Sequence, residues 1–106
     1  MQVDSKDPRG QTPLFFAING GHEGVFRLLL KHGAQVDSKD NSGKTPLHEA
    51  SYWNQLAIVK LLLEYGAKAE VMDDYGRTPL SLAKVEGHQE VVEILEEHLA
   101  LTREVS

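Results

Sequence analysis

Apolar residues along this chain fall into two kinds of grouping, and the middle of the sequence shows both most clearly. Leu47 and Ala50 mark one face of a short helix, and Ile58, Leu61 and Leu62 follow at the i, i+3, i+4 spacing of a longer one. Polar and turn-forming residues bound them. Asp40-Asn41-Ser42 leads into Gly43, the chemistry of a tight turn in which the glycine takes positive φ. Thr45 then stands at an N-cap position and Pro46 at the first helical position, where a missing N–H is no loss. The short helix breaks near Asn54, the usual second choice after glycine for a left-handed cap, and the longer one stops at Gly66. The pattern predicts a turn, a short helix, a longer helix and a loop, with no room for a regular strand beyond the arms of the turn.

The same unit recurs. "QVDSKD" runs from Gln2 to Asp7 and again from Gln35 to Asp40, a step of 33 residues. "GQTPL" from Gly10 becomes "GKTPL" from Gly43 and "GRTPL" from Gly76. Ala17, Ala50 and Ala83 keep this register, as do Val25, Ile58 and Val91, and Leu29, Leu62 and Leu95; Gly33 is matched by Gly66. Self-similarity at a fixed period of this size predicts a stacked, all-α solenoid, because no single helix pair can bury its own apolar stripe.

The residues that repeat resemble the ankyrin repeat, whose pattern is similar to D-x-x-G-x-T-P-L-H-x-A, then G-H, an apolar helix and G-A. The resemblance covers nearly the whole chain and implies three repeats, at 7–39, 40–72 and 73–106. Phe15 and Ser81 replace the motif histidine that His48 retains, Asn54-Gln55 replaces Gly-His, and Ile18 stands where a small alanine is usual. In this reading residues 1–6 are the tail of a preceding repeat, with Met1 in the register of Ala34. Phe15, Phe16, Ile18 and Phe26 give the first repeat large apolar side chains, some of which such a neighbour would cover, so weak self-association through this end is expected. Glu96 and Glu97 stand where Leu63 and Glu64 were, and Leu99 replaces the helix-ending glycine. The last helix is therefore expected to run on toward Thr102 with a polar outer face, as a terminal cap does.

Composition narrows the chemistry. The chain has 106 residues, 41% of them hydrophobic and 25% charged, and no cysteine. That fits one domain of intracellular type, cytoplasmic or nuclear, and excludes disulfides, thiolate metal sites and cysteine nucleophiles. No apolar run reaches the roughly 20 residues of a membrane span. The net charge of −5 is that of residues 73–106 alone, the remainder balancing. An acidic body with only a weak basic row (Arg9, Lys44 and Arg77, with Lys6 and Lys39) argues against nonspecific nucleic-acid binding. His22 and His88 fall at equivalent starts of the longer helix and His48 in the TPLH turn, so all three are read as structural, while His32 and His98 are read as solvated. No phosphate loop, catalytic triad or convergent histidine set is present in the sequence, and no enzyme, cofactor or metal is expected.

The resemblance implies protein–protein recognition on a concave surface made of turn tips and the solvent side of the short helices. Carried onto this chain, that surface comprises Pro8, Arg9, Gln11, Asn19 and Gly20 in the first repeat. In the second it comprises Lys39, Asn41, Ser42, Lys44, Tyr52 and Trp53, and in the third Met72, Asp74, Tyr75, Arg77, Val85 and Glu86. Trp53 is the only tryptophan and, with Tyr52, is expected to anchor an apolar side chain of the partner. Tyr75 is expected nearby, with Arg77 and Lys44 orienting an acidic group or a backbone carbonyl. The alternatives are an architectural or self-associating segment with no dedicated ligand, or an engineered binder, which the differences between repeats disfavour.

Overall fold

In the computed structural model, which describes residues 3–105, the repeated pattern becomes six helices and, among these residues, no strand. They are α1 Pro13–Asn19, α2 Glu23–Lys31, α3 Pro46–Tyr52, α4 Leu56–Glu64, α5 Pro79–Glu86 and α6 Gln89–Val105. The reading of Met1 and Gln2 lies outside the described residues. The last helix extends past Thr102 to Val105. Each short helix begins at Pro13, Pro46 or Pro79 behind an extended threonine. The break after it is a left-handed residue at Gly21, Asn54 or Gly87, as the turn residues require.

The short helices α1, α3 and α5 pack side by side, and α2, α4 and α6 form a second row behind them. The result is a block of 39 × 27 × 26 Å. Ala17, Ala50 and Ala83 are all buried, and their small side chains let the helices approach closely. Leu29, Leu62 and Leu95 continue one sealed row through the outer layer. Among the described residues, no helix is long and apolar enough to cross a membrane.

The turns are stapled by a single device used three times. One carboxylate oxygen of Asp7 accepts from the Arg9 and Gln11 amides; Asp40 does the same for Ser42 and Lys44, and Asp73 for Tyr75 and Arg77. Neighbouring turns are joined edge to edge. The Asn41 amide donates to the Arg9 carbonyl at 2.8 Å, the Asn41 side chain donates to the Pro8 carbonyl, and the Asp74 amide donates to the Ser42 carbonyl at 2.9 Å.

This contact separates two otherwise equivalent glycines. Gly43 and Gly76 have φ of 78° and 75°, but a Cβ on Gly43 would stand 2.7 Å from the Asp74 carboxylate and 3.1 Å from its backbone nitrogen, while one on Gly76 meets nothing within 4 Å. Gly76→Ala is therefore expected to destabilise by about 1 kcal/mol, the strain of positive φ alone, and Gly43→Ala by about 2–3 kcal/mol. Urea unfolding of the two variants checks this; equal losses would show that the turn-to-turn contact yields without resistance.

The ends of the stack differ. Of the four large apolar residues of the first repeat, some of which were expected to lack cover, Phe15, Ile18 and Phe26 are fully buried. Only Phe16 is uncovered, at 51% exposure, and it is joined by Val25 at 52% and Leu28 at 51%. Phe15, Ile18 and Phe26 belong to the sealed core of the first repeat, so no upstream neighbour is needed to bury them. At the other end Lys84 and Glu96 form an exposed ion pair at 3.6 Å, in the registers of Ile18 and Leu30.

Candidate functional site

The reciprocal N-cap fixes the start of α3 and α5, two helices whose residues Glu49, Tyr52 and Leu82 line a groove. The His48 amide donates to Thr45 Oγ1, and the Thr45 amide donates back to His48 Nδ1 at 3.1 Å. Thr78 and Ser81 make the same exchange, with the Thr78 amide donating to Ser81 Oγ at 2.9 Å. Phe15 has no acceptor for the Thr12 amide, so α1 lacks this box. His48 does one thing more: its Nε2 lies 2.8 Å from the Arg77 carbonyl of the next repeat. A backbone amide can only donate and a carbonyl can only accept, so the proton sits on Nε2 and the ring is neutral. Burial pushes the His48 pKa below its ordinary value, and the bond to the Arg77 carbonyl offsets this only in part.

At the other histidine register the side chain also reaches across repeats. Gln55 Nε2 donates to the Ile18 carbonyl at 3.2 Å, and His88 Nε2 lies 3.0 Å from the Tyr52 carbonyl. Among the described residues no group of three or more His, Asp or Glu could hold a metal ion.

Between the turn tips and the ends of the short helices lies a groove of about 370 Å³. It gathers seven of the expected residues, Arg9, Gln11, Asn19, Lys44, Tyr52, Trp53 and Arg77, together with Glu49 and Leu82. Trp53 is 53% exposed and Tyr52 39%, their rings meeting edge to face with centroids 4.9 Å apart. Gln11, expected at the surface, is buried, because its backbone closes the Asp7 turn and the Asn41 turn lies alongside. Lys39, Asn41, Ser42, Met72, Asp74, Tyr75 and Glu86 do not line the groove. Asn41 and Ser42 serve the turn-to-turn contact. Met72 and Tyr75 are exposed beyond it, and Glu86 and Asp74 face solvent.

The cations divide by what they already hold. Lys44 Nζ is 3.0 Å from Glu49 Oε1, and Arg77 Nε is 2.7 Å from Asp73 Oδ2. The Arg77 guanidinium also lies over the Tyr75 ring, 5.1 Å from its centroid. Burial opposes ionisation of Asp73, but hydrogen bonds from the Arg77 and Tyr75 amides and from the Arg77 guanidinium outweigh it and hold the carboxyl below the usual range. Lys44 and Arg77, expected to orient a partner, are thus committed within the chain. The Arg9 side chain, at the same rim, has no ion pair among the described residues.

Glu49 is the residue that sequence reasoning missed. It is buried and takes both Lys44 and the Trp53 indole, whose Nε1 donates to Glu49 Oε2 at 3.0 Å. Its signal was present: a carboxylate in the register of Phe16 and Leu82, where an apolar side chain is the rule. A wider cleft of about 490 Å³, between residues 66–71 and the end of α6, shares no residue with the groove and is lined mainly by small and aliphatic side chains.

Comparison with protein-family models matches residues 1–73 to "Ankyrin repeats (3 copies)" and residues 75–100 to "Ankyrin repeat". Comparison with curated proteins returns no match. Ankyrin repeats are in general modules of protein–protein interaction. With stacked helix pairs, stapled turns and TPL caps in the same register, and with models that together reach residue 100, this chain belongs to the ankyrin-repeat family.

Proposed function

We propose that the chain is a non-catalytic binding module that takes a partner protein or peptide in the groove between its turn tips and short helices. One observation carries this reading: two half-exposed aromatic rings, Tyr52 and Trp53, stand beside the one rim cation that has no ion pair among the described residues, Arg9. Aromatic rings supply large contact area at little entropic loss and are enriched where binding energy concentrates. In this arrangement Trp53, Tyr52 and Leu82 receive an apolar side chain, and Arg9 meets a carboxylate of the partner. Lys44 and Arg77 shape the wall through Glu49 and Asp73. The cysteine-free composition supports an intracellular setting.

Selection of random peptides on the immobilised chain is expected to enrich sequences that pair a large apolar residue with Asp or Glu. Arg9→Glu should weaken those peptides about 10-fold or more, by replacing attraction with like-charge repulsion. Glu64→Ala on the outer helix should leave them unchanged. Binders indifferent to Arg9→Glu, or dependent on the outer helices, would sink the assignment. Failure to enrich any sequence would favour an architectural segment without a dedicated ligand.

A further inference from the structure

Independently of the groove, we propose that the exposed face of α1 and α2 is the seat of a further ankyrin-type helix pair stacked ahead of residue 7, in the register that joins the repeats already present. Three observations meet there. The first is apolar surface. Phe16, Val25 and Leu28 are each about half exposed, whereas Glu49 and Leu82, Ile58 and Val91, and Leu61, in the same registers, are at 7% or below, and Ile94, the other counterpart of Leu28, is partly buried. Those counterparts are buried in pairs that have a pair stacked ahead of them.

The second is an unused latch. Gln55 and His88 each bridge to a carbonyl near the end of the preceding short helix. His22, in their register and with a similar backbone to Gln55 (φ −90° and ψ 78° against −89° and 75°), has no side-chain partner among the described residues. The third is the path of the chain. Asp4 accepts from the Gln35 amide at 3.0 Å as Asp37 accepts from the Lys68 amide at 3.0 Å, so residues 3–6 already follow the loop that links one repeat to the next. Val3 packs against the core as Val36 does.

The occupant is specified by what covers the other pairs. It presents small or apolar side chains in the registers of Ile18 and Leu30, or of Ser51 and Leu63. A second copy joined head to tail does not meet that requirement, because its last pair offers the Lys84–Glu96 ion pair to the apolar face.

The test extends the chain with residues 34–66 copied ahead of Met1, which preserves the 33-residue register. The extended chain should unfold in one cooperative transition at a melting temperature raised by about 5 °C or more. Leu28→Glu and His22→Ala should shift the melting temperature of the unextended chain by less than about 2 °C, since both side chains face solvent there. In the extended chain Leu28→Glu should lower it by about 5 °C or more, and His22→Ala should lower it measurably. Equal shifts in both backgrounds, or a separate transition for the added pair, would overturn the proposal. So would an extended chain that still self-associates through Phe16 and Leu28 by sedimentation, which would assign the face to a second copy.

Discussion

His48→Ala is expected to lower the unfolding free energy by about 3 kcal/mol, the largest loss from any single polar side chain in the stack. The ring is fully buried and spans two repeats. Its removal leaves the Thr45 amide and the Arg77 carbonyl without their partners and opens a void between α3 and the third turn. His48→Phe separates the two causes, since it keeps most of the volume and restores neither bond. If volume dominated, the phenylalanine variant would unfold like the parent, as Phe15 in the first repeat shows that the register accommodates that ring.

The same residue sets a pH dependence whose sign follows from its neutral tautomer. The folded protein holds the His48 pKa below the ordinary 6.5, so the unfolded state binds the proton more readily. The stabilisation is complete above about pH 6.5 and is lost as the pH falls through the folded value. Urea midpoints measured from pH 7.5 down to 5 should therefore decline in the parent and decline less in His48→Ala. A parent whose midpoint rises on acidification would contradict a buried neutral ring.

Trp53→Ala is expected to weaken partner binding by about 2 kcal/mol or more, roughly 30-fold in Kd, while leaving the fold intact. The ring is half exposed, so its loss opens no cavity in the core. Its position is nonetheless fixed, because the indole N–H is held by the buried carboxylate of Glu49 and the ring edge meets Tyr52. A ring ordered before binding gives up little further freedom on contact, which is why truncation should be felt so strongly. Trp53→Phe should recover part of the affinity through apolar area alone. Glu49→Gln should weaken binding less than Trp53→Ala, because an amide oxygen still accepts from the indole. Calorimetry with a selected peptide reads all three; an unchanged Kd in Trp53→Ala would remove the aromatic pair from the binding surface.

The repeat, its turn and its caps were determined by sequence because each rests on local chemistry. Asp40 to Gly43 closes a turn through bonds that span four residues, Thr45 and Pro46 start a helix, and Asn54 takes the left-handed break that glycine takes elsewhere. The 33-residue period then required the pairs to stack, since Ile58, Leu61 and Leu62 have nothing within their own unit to bury them. Exposure of Tyr52 and Trp53 was legible for the same reason, as their register points away from the buried stripe.

Only the tertiary structure decided how the charges were spent. Lys44 and Arg77 share one register, Arg9 stands two residues earlier in its own repeat, and nothing in the sequence says which of the three is paired. They differ because Glu49 happens to stand beside Lys44, and Asp73 is turned toward Arg77, whereas neither leaves a carboxylate for Arg9. Which of Phe15, Phe16, Ile18 and Phe26 would be sealed also depended on packing between pairs. A helix period places a side chain on a face, but its cover comes from a neighbour 33 residues away. Partner choice at close range and burial across a stack are non-local quantities, and they are fixed when the repeats meet.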